Sequence, residues 1–177
     1  SNLSGSYIMV NDLTGLPVAE QAYEISHKLG DPIPMYYAAY SLVSYYLLDN
    51  RPELAQQMLE ETERLHRKLN IPDDEYAGLW ARIAEATGNK AEAYRLYQSE
   101  IDMLRDPSVP FTQINPTFLN YAKLLRKDNR PGEAIKILEE DLRHSDSDSR
   151  LWVPQIFREL VYAYRDQGNI AKALEYS

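Results

Sequence analysis

No cysteine occurs in this 177-residue chain, which excludes disulfides, thiolate nucleophiles and cysteine-bound metals while leaving cytoplasm and periplasm both open. Glycine is sparse. Seven residues, at positions 5, 15, 30, 78, 88, 132 and 168, are too scattered for a loop that cradles phosphate, so nucleotide binding has no support. The three histidines, His27, His66 and His144, lack the partner four residues away that would put two imidazoles on one helical face, and each reads as a surface or packing residue. No metal or other cofactor is expected. No stretch reaches the roughly 18 to 20 uninterrupted apolar residues of a membrane span. The richest region, Tyr36 to Leu48, is broken by serines. Basic charge is also short: 19 Lys and Arg against 27 Asp and Glu give a net charge of −8, which disfavours nucleic acid and anionic membrane as partners of the whole chain.

What is present is a repeat. Asp49-Asn50-Arg51-Pro52 with Ala55 recurs as Asp128-Asn129-Arg130-Pro131 with Ala134. Gly88-Asn89 with Ala91 and Ala93 recurs, after nearly the same interval, as Gly168-Asn169 with Ala171 and Ala173. Four turns therefore follow one another at near-equal spacing, at Asn50, Gly88, Asn129 and Gly168, alternating between two sequence classes. Apolar residues step by three and four on both sides of each, as in Leu42, Tyr45, Tyr46 and Leu54, Met58, Leu65, Leu69, so two helices meet at every turn. Gly88 and Gly168 suit the left-handed residue that ends a helix, with the following Asn as the next cap. The Asn50 and Asn129 turns lead into prolines, which fit a helix's first turn. Asp73 or Asp74 suits a further cap. Helices are expected over 16–29, 34–48, 52–69, 74–87, 90–105, 116–127, 132–143, 151–167 and from 170 onward. With 44% hydrophobic residues the chain has enough for a continuous core.

Aligned on these turns, the chain resembles the tetratricopeptide repeat family, whose unit is about 34 residues long. Ala55, Ala93, Ala134 and Ala173 fall five residues after each turn, at the family's characteristic alanine, with Leu59, Tyr97 and Leu138 four further on. Ala81 and Ala122 occupy the small position of the first helices, after Trp80 and Tyr121. Val43 and Val161 depart from that pattern, as do Thr62, Glu100 and Asp141, which replace a late alanine. The resemblance implies an all-α fold: a right-handed α-solenoid of antiparallel helix pairs, a superhelix of about nine helices over residues 16–177. The unit here is longer, about 40 residues, in the style of arrays attached to bacterial sensor kinases and transcriptional regulators. Residues 1–15 are expected to be a tail, with Ser1-Asn2 similar to a protease scar. The last helix reads as cut short, so the chain is expected to be a fragment of a larger protein, with array ends open to self-association.

Nothing in the sequence assembles a catalytic group. Asp146-Ser147-Asp148 lacks the glycine and the final glutamate of a calcium loop. Asp73-Asp74-Glu75 sits at a helix start, where negative charge is favoured. Glu139-Glu140-Asp141 follows an apolar face and is expected to face water. No serine lies in a nucleophile elbow. Fourteen tyrosines are the unusual count. Most are expected in the core, where a ring is buried and the hydroxyl finds a partner.

The resemblance implies that first helices line a concave surface holding an extended peptide or a partner helix. Positions thirteen, ten, six and three before each turn share a face. They include Tyr37, Tyr40, Ser44, Arg82, Lys123, Arg126, Arg158, Tyr162 and Arg165, with Asn120 adjacent. The same rule places Gly78 and Leu119 there. Lys and Arg outnumber Glu on this face, so the expected partner is a protein or peptide rich in carboxylates. An ordinary solvated helical face is the alternative reading. The function implied is a non-catalytic interaction scaffold, the sensing or docking module of a bacterial regulator. An enzyme on a helical scaffold, or a helical repeat reading RNA, is the alternative.

Overall fold

The computed structural model describes residues 12–71, 76–106, 116–144 and 153–177. Most of the tail, the Asp73 or Asp74 cap, the interiors of both long linkers and Asp146-Ser147-Asp148 lie outside these residues. Among those described are nine α-helices and no strand: α1 (Leu16–Leu29), α2 (Pro32–Leu48), α3 (Pro52–Leu69), α4 (Ala77–Ala86), α5 (Lys90–Leu104), α6 (Pro116–Lys127), α7 (Pro131–His144), α8 (Val153–Asp166) and α9 (Ile170–Glu175). A single 3-10 turn, Leu13–Gly15, precedes them.

Several expected boundaries move by up to three residues, and one move has an identifiable cause. Helix α2 starts at Pro32 rather than residue 34, because the Asp31 side chain accepts from the Ile33 amide at 3.1 Å and caps the helix. Prolines at 32 and 34 are harmless there, since the amides they lack have no intrahelical partner. Helix α4 starts at Ala77, so it is shorter than the periodicity predicts.

The two sequence classes of turn are one geometry. Asn50 and Asn129 take positive φ (57° and 58°), as do Gly88 and Gly168 (81° and 83°). In all four, the left-handed residue donates to the carbonyl three back and its successor to the carbonyl five back. Asn50 N reaches Leu47 O and Arg51 N reaches Tyr46 O, and Gly88 N reaches Glu85 O while Asn89 N reaches Ala84 O. These bonds satisfy carbonyls that a helix end leaves open. Asparagine substitutes for glycine because its short polar side chain tolerates the left-handed region better than other residues. Gly30 and Asn70 close α1 and α3 in the same way.

The chain divides into two compact units, Ser1–Ala93 and Tyr94–Ser177. In the first, α1, α2, α3 and α4 each pack on the next in sequence, and α2 also meets α4. Its core gathers Ala19, Leu42, Val43, Tyr45, Ala55, Leu59 and Ile83. In the second, α6, α7, α8 and α9 repeat the scheme, with α6 also meeting α8. First helices thus contact both their own partner and the next first helix, the packing logic of a helical repeat. The alanines five residues past each turn, Ala55, Ala93, Ala134 and Ala173, are all buried, as close helix approach requires.

One expectation is overturned. The run Glu139-Glu140-Asp141 does not face water: Asp141 is 1% exposed, Glu139 accepts from the Tyr164 hydroxyl at 2.6 Å, and Glu140 is held by Arg105. Asp141 falls twelve residues past its turn. Thr62 and Glu100, at the same repeat position, are buried too. The three residues that depart from the family's alanine therefore occupy the alanine's buried site.

Candidate partner-binding faces of the first helices

In the first unit the face is carried by α2 and α4. Tyr37 and Tyr40 are 64% and 44% exposed, although their neighbours Tyr36, Ala38 and Ala39 are buried. Ser44 and Arg82 are half-buried and meet across the two helices, Arg82 Nη1 to Ser44 Oγ at 3.4 Å. Behind the exposed tyrosines lies a fixed aromatic cluster. The Tyr36 and Tyr76 hydroxyls are 3.0 Å apart, and the Tyr76 hydroxyl is 2.8 Å from His66 Nδ1. The Tyr40 ring stacks near that of Tyr36 at 6.4 Å and meets Tyr76 at 6.3 Å. Tyr40 is thereby held as a rigid anchor with one side open, the type of surface that gives binding energy at small entropic cost. Gly78 is buried.

In the second unit the face is carried by α6 and α8. Arg126 is the organising residue. Its Nε donates to Glu159 at 2.6 Å and its Nη1 to Asp166 at 2.9 Å. Its guanidinium also lies over the Tyr162 ring, 5.3 Å from the centroid. Burial disfavours the Arg126 cation, but its bonds to Glu159 and Asp166 outweigh this and hold its pKa above the ordinary arginine value. Arg126 thus couples α6 to α8, and its charge is already balanced. Arg158 and Arg165 are exposed on α8 and form no ion pair with any described residue. Tyr162, 38% exposed, stands between them in sequence at helical steps of four and three. Asn120 and Lys123 are half-buried. Leu119, placed on this face by the spacing, is buried. At the tenth position before the turn the stripe is uneven: Gly78 and Leu119 turn into the packed side, while Tyr40 and Arg158 stay exposed.

Periodicity did not single out Glu159, the buried carboxylate that receives Arg126. Its signal was available: it lies among Ile156, Leu160 and Ala163 on an apolar face, and a charge there demands a partner. The arginines of the two Asp-Asn-Arg-Pro turns were also missed. Arg51 lies over the Tyr46 ring at 4.9 Å, and Arg130 over Tyr94 at 5.1 Å. Each of those tyrosines donates to a carboxylate, Tyr46 to Glu20 at 3.1 Å and Tyr94 to Asp128 at 3.0 Å. Burial first, then these bonds, raises both phenol pKa values. The arginines of the repeated turns therefore work as ring covers at helix junctions.

Among the described residues no group of three His, Asp or Glu side chains is placed to hold a metal, and no helix is long and apolar enough to cross a membrane.

Paired helices closed by left-handed turns, small residues at the contacts and first helices that touch one another define a TPR-like helical repeat. No protein-family model and no curated protein sequence matches the chain. Among solved structures it is similar to a kinesin light chain-like protein of Podosopora anserina with nearly identical TPR-like repeats, at TM-score 0.57 and 18% identity, covering 99% of this chain and 88% of that one. A singly substituted form of that protein matches with a TM-score of 0.58 and the same identity and coverage. At this identity the likeness establishes the fold.

Proposed function

We propose that the chain is a non-catalytic docking module that receives a protein or peptide partner on the exposed faces of its first helices. The observation that carries this reading is the pattern of exposure. Tyr37, Tyr40 and Tyr162 stay open on helices whose other tyrosines Tyr36, Tyr45, Tyr46 and Tyr164 are buried. Exposed aromatic anchors, with Tyr162 flanked by the unpaired Arg158 and Arg165, are the composition of interaction hot spots rather than of a solvated face. Arg158 and Arg165 favour carboxylates on the partner. The TPR-like fold supports the same reading, since its repeats present extended surfaces rather than closed reaction pockets.

We further infer a bacterial signalling or regulatory setting, which rests on the lengthened repeat unit and on long second helices such as the 18-residue α3. Self-association belongs to the same reading: α1 exposes Val18, Ile25 and Leu29, and α9 exposes Ile170 and Leu174. The test is capture of partners by the purified chain. Tyr37→Ala with Tyr40→Ala, and separately Arg158→Glu with Arg165→Glu, should each deplete the captured protein at least tenfold with helicity intact. Equal capture by the parent and both variants would sink the reading.

A further inference from the structure

Resting on the docking reading above, we propose that one side of α8 receives an amphipathic helix of a partner protein that carries two carboxylates seven residues apart with an aromatic ring between them. The repeat displays such a contact once, between α6 and α8. Arg126 of α6 bonds Glu159 at 2.6 Å and Asp166 at 2.9 Å, and its guanidinium covers the ring of Tyr162. The turns at Asn129 and Gly168 set the register of the two helices, which makes Arg165 the counterpart of Arg126, Phe157 of Phe118 and Val161 of Ala122. Phe118 and Ala122 are wholly buried, whereas Phe157 is 38% exposed, Val161 is half-buried and Arg165 is exposed. Positions closed in α6 are open in α8.

Helical geometry separates this side from the one already in use. At about 100° per residue, Glu159 and Asp166 lie together and face α6, while Phe157, Val161, Arg165 and Arg158 share another side. Net charge does not choose the occupant. Arg126 is shared by two carboxylates and Lys172 takes Glu175, so α8 and α9, with Arg126 included, carry four cations against three carboxylates. Placement does choose it. Arg158 and Arg165 are exposed, make no ion pair with a described residue and stand beside the apolar Phe157 and Val161. An occupant must therefore offer carboxylates next to an apolar strip, as an amphipathic helix does. Arg165 holds the repeat position from which Arg126 binds acids seven residues apart, so spacing is specified as well as charge. The Phe157 ring meets Tyr176 edge-on, and Tyr176 stacks on Tyr164, so the strip is ordered before a partner arrives.

The probe is a fluorescein-labelled synthetic peptide with the sequence of α8, residues 153–166, which carries the required spacing. A second peptide bears Glu159→Gln and Asp166→Asn, and a third bears Lys at both positions. Anisotropy at low salt should show the acidic peptide binding the parent chain about tenfold more tightly than the neutral one, with added salt narrowing the gap. Arg165→Glu in the chain should weaken the acidic peptide by about tenfold and should bind the Lys peptide instead, while Lys28→Glu on α1 should leave acidic binding unchanged. Circular dichroism confirms that each variant is folded. Absent binding, equal binding of the acidic and neutral peptides, or an Arg165→Glu chain that behaves as the parent would overturn the helix proposal. Partner capture keeps the two readings apart: if Arg158→Glu with Arg165→Glu still depletes the captured protein while the peptides fail, the docking face stands and only the paired-carboxylate helix falls. Oligomers of the parent chain that Arg165→Glu dissolves, without peptide binding, would overturn it in favour of a second copy.

Discussion

The two units treat the same buried repeat position differently. In the first, Thr62 fills it, and its hydroxyl donates to the Met58 carbonyl one turn back at 2.7 Å, so the polar atom is satisfied inside its own helix. In the second, the position falls to Glu100 and then to Asp141. Burial, reinforced by the neighbouring Glu140 charge, pushes the Asp141 carboxyl up to about 7. The helix pair forms either way. The difference teaches that the repeat fixes where a side chain goes, while the chemistry placed there decides whether the core responds to pH.

The largest effects should be alike in both units and so serve as the control for that contrast. Leu59→Ala and Leu138→Ala remove fully buried side chains at equivalent positions, and each should cost about 2–5 kcal/mol. Hydrogen exchange should lose protection first in α2–α4 for the former and in α6–α8 for the latter. Next comes the contrast itself. Between the unfolded carboxyl's pKa near 4 and the folded value near 7, native Asp141 keeps a proton that the unfolded chain has released. Stability therefore falls as pH rises through that window and levels off above it. Asp141→Asn should be near neutral at pH 4 and should stabilise by roughly 4 kcal/mol at pH 8, read from urea melts at both pH values. Thr62→Val should show no such pH dependence.

A third comparison lies within the second unit. Arg126→Ala leaves Glu159, 4% exposed, as a buried carboxylate without its cation, and should cost about 1–3 kcal/mol. Arg158→Ala and Arg165→Ala should each stay within about 0.5 kcal/mol. Equal melting temperatures for all three would refute the structural role assigned to Arg126. The smallest effect concerns the turns. Gly88→Ala forces a Cβ into the left-handed region and should cost about 1 kcal/mol. Asn129→Gly should change stability by only a few tenths, because both residues serve the same conformation.

The fold was readable because its determinants are local. Turn residues, first-turn prolines and the alanines five residues on are packing and backbone requirements that recur with the repeat, so Ala55 and Ala134 could be placed without any long-range information. The faces were only partly readable. Exposure at Tyr37, Tyr40 and Tyr162 follows from helical period, but the neutralisation of Arg126 depends on Glu159 and Asp166 more than thirty residues away, and no local pattern encodes that pairing. The bridge from Arg105 to Glu140 was not readable at all, because Arg105 follows α5 and Glu140 lies on α7, 35 positions apart.

Gly15 leads to a different kind of experiment. It ends the 3-10 turn before α1 without a left-handed φ, so its lack of a side chain is not a backbone matter. A Cβ there would collide with the Tyr45 hydroxyl oxygen and fall 2.7 Å from the ring carbon that bears it, and Tyr45 is wholly enclosed. The two residues are a matched pair, one supplying the volume that the other gives up. A selection for revertants of Gly15→Ala should accordingly return suppressors at codon 45 that shorten the ring, and the paired change should be healthier than either lesion alone.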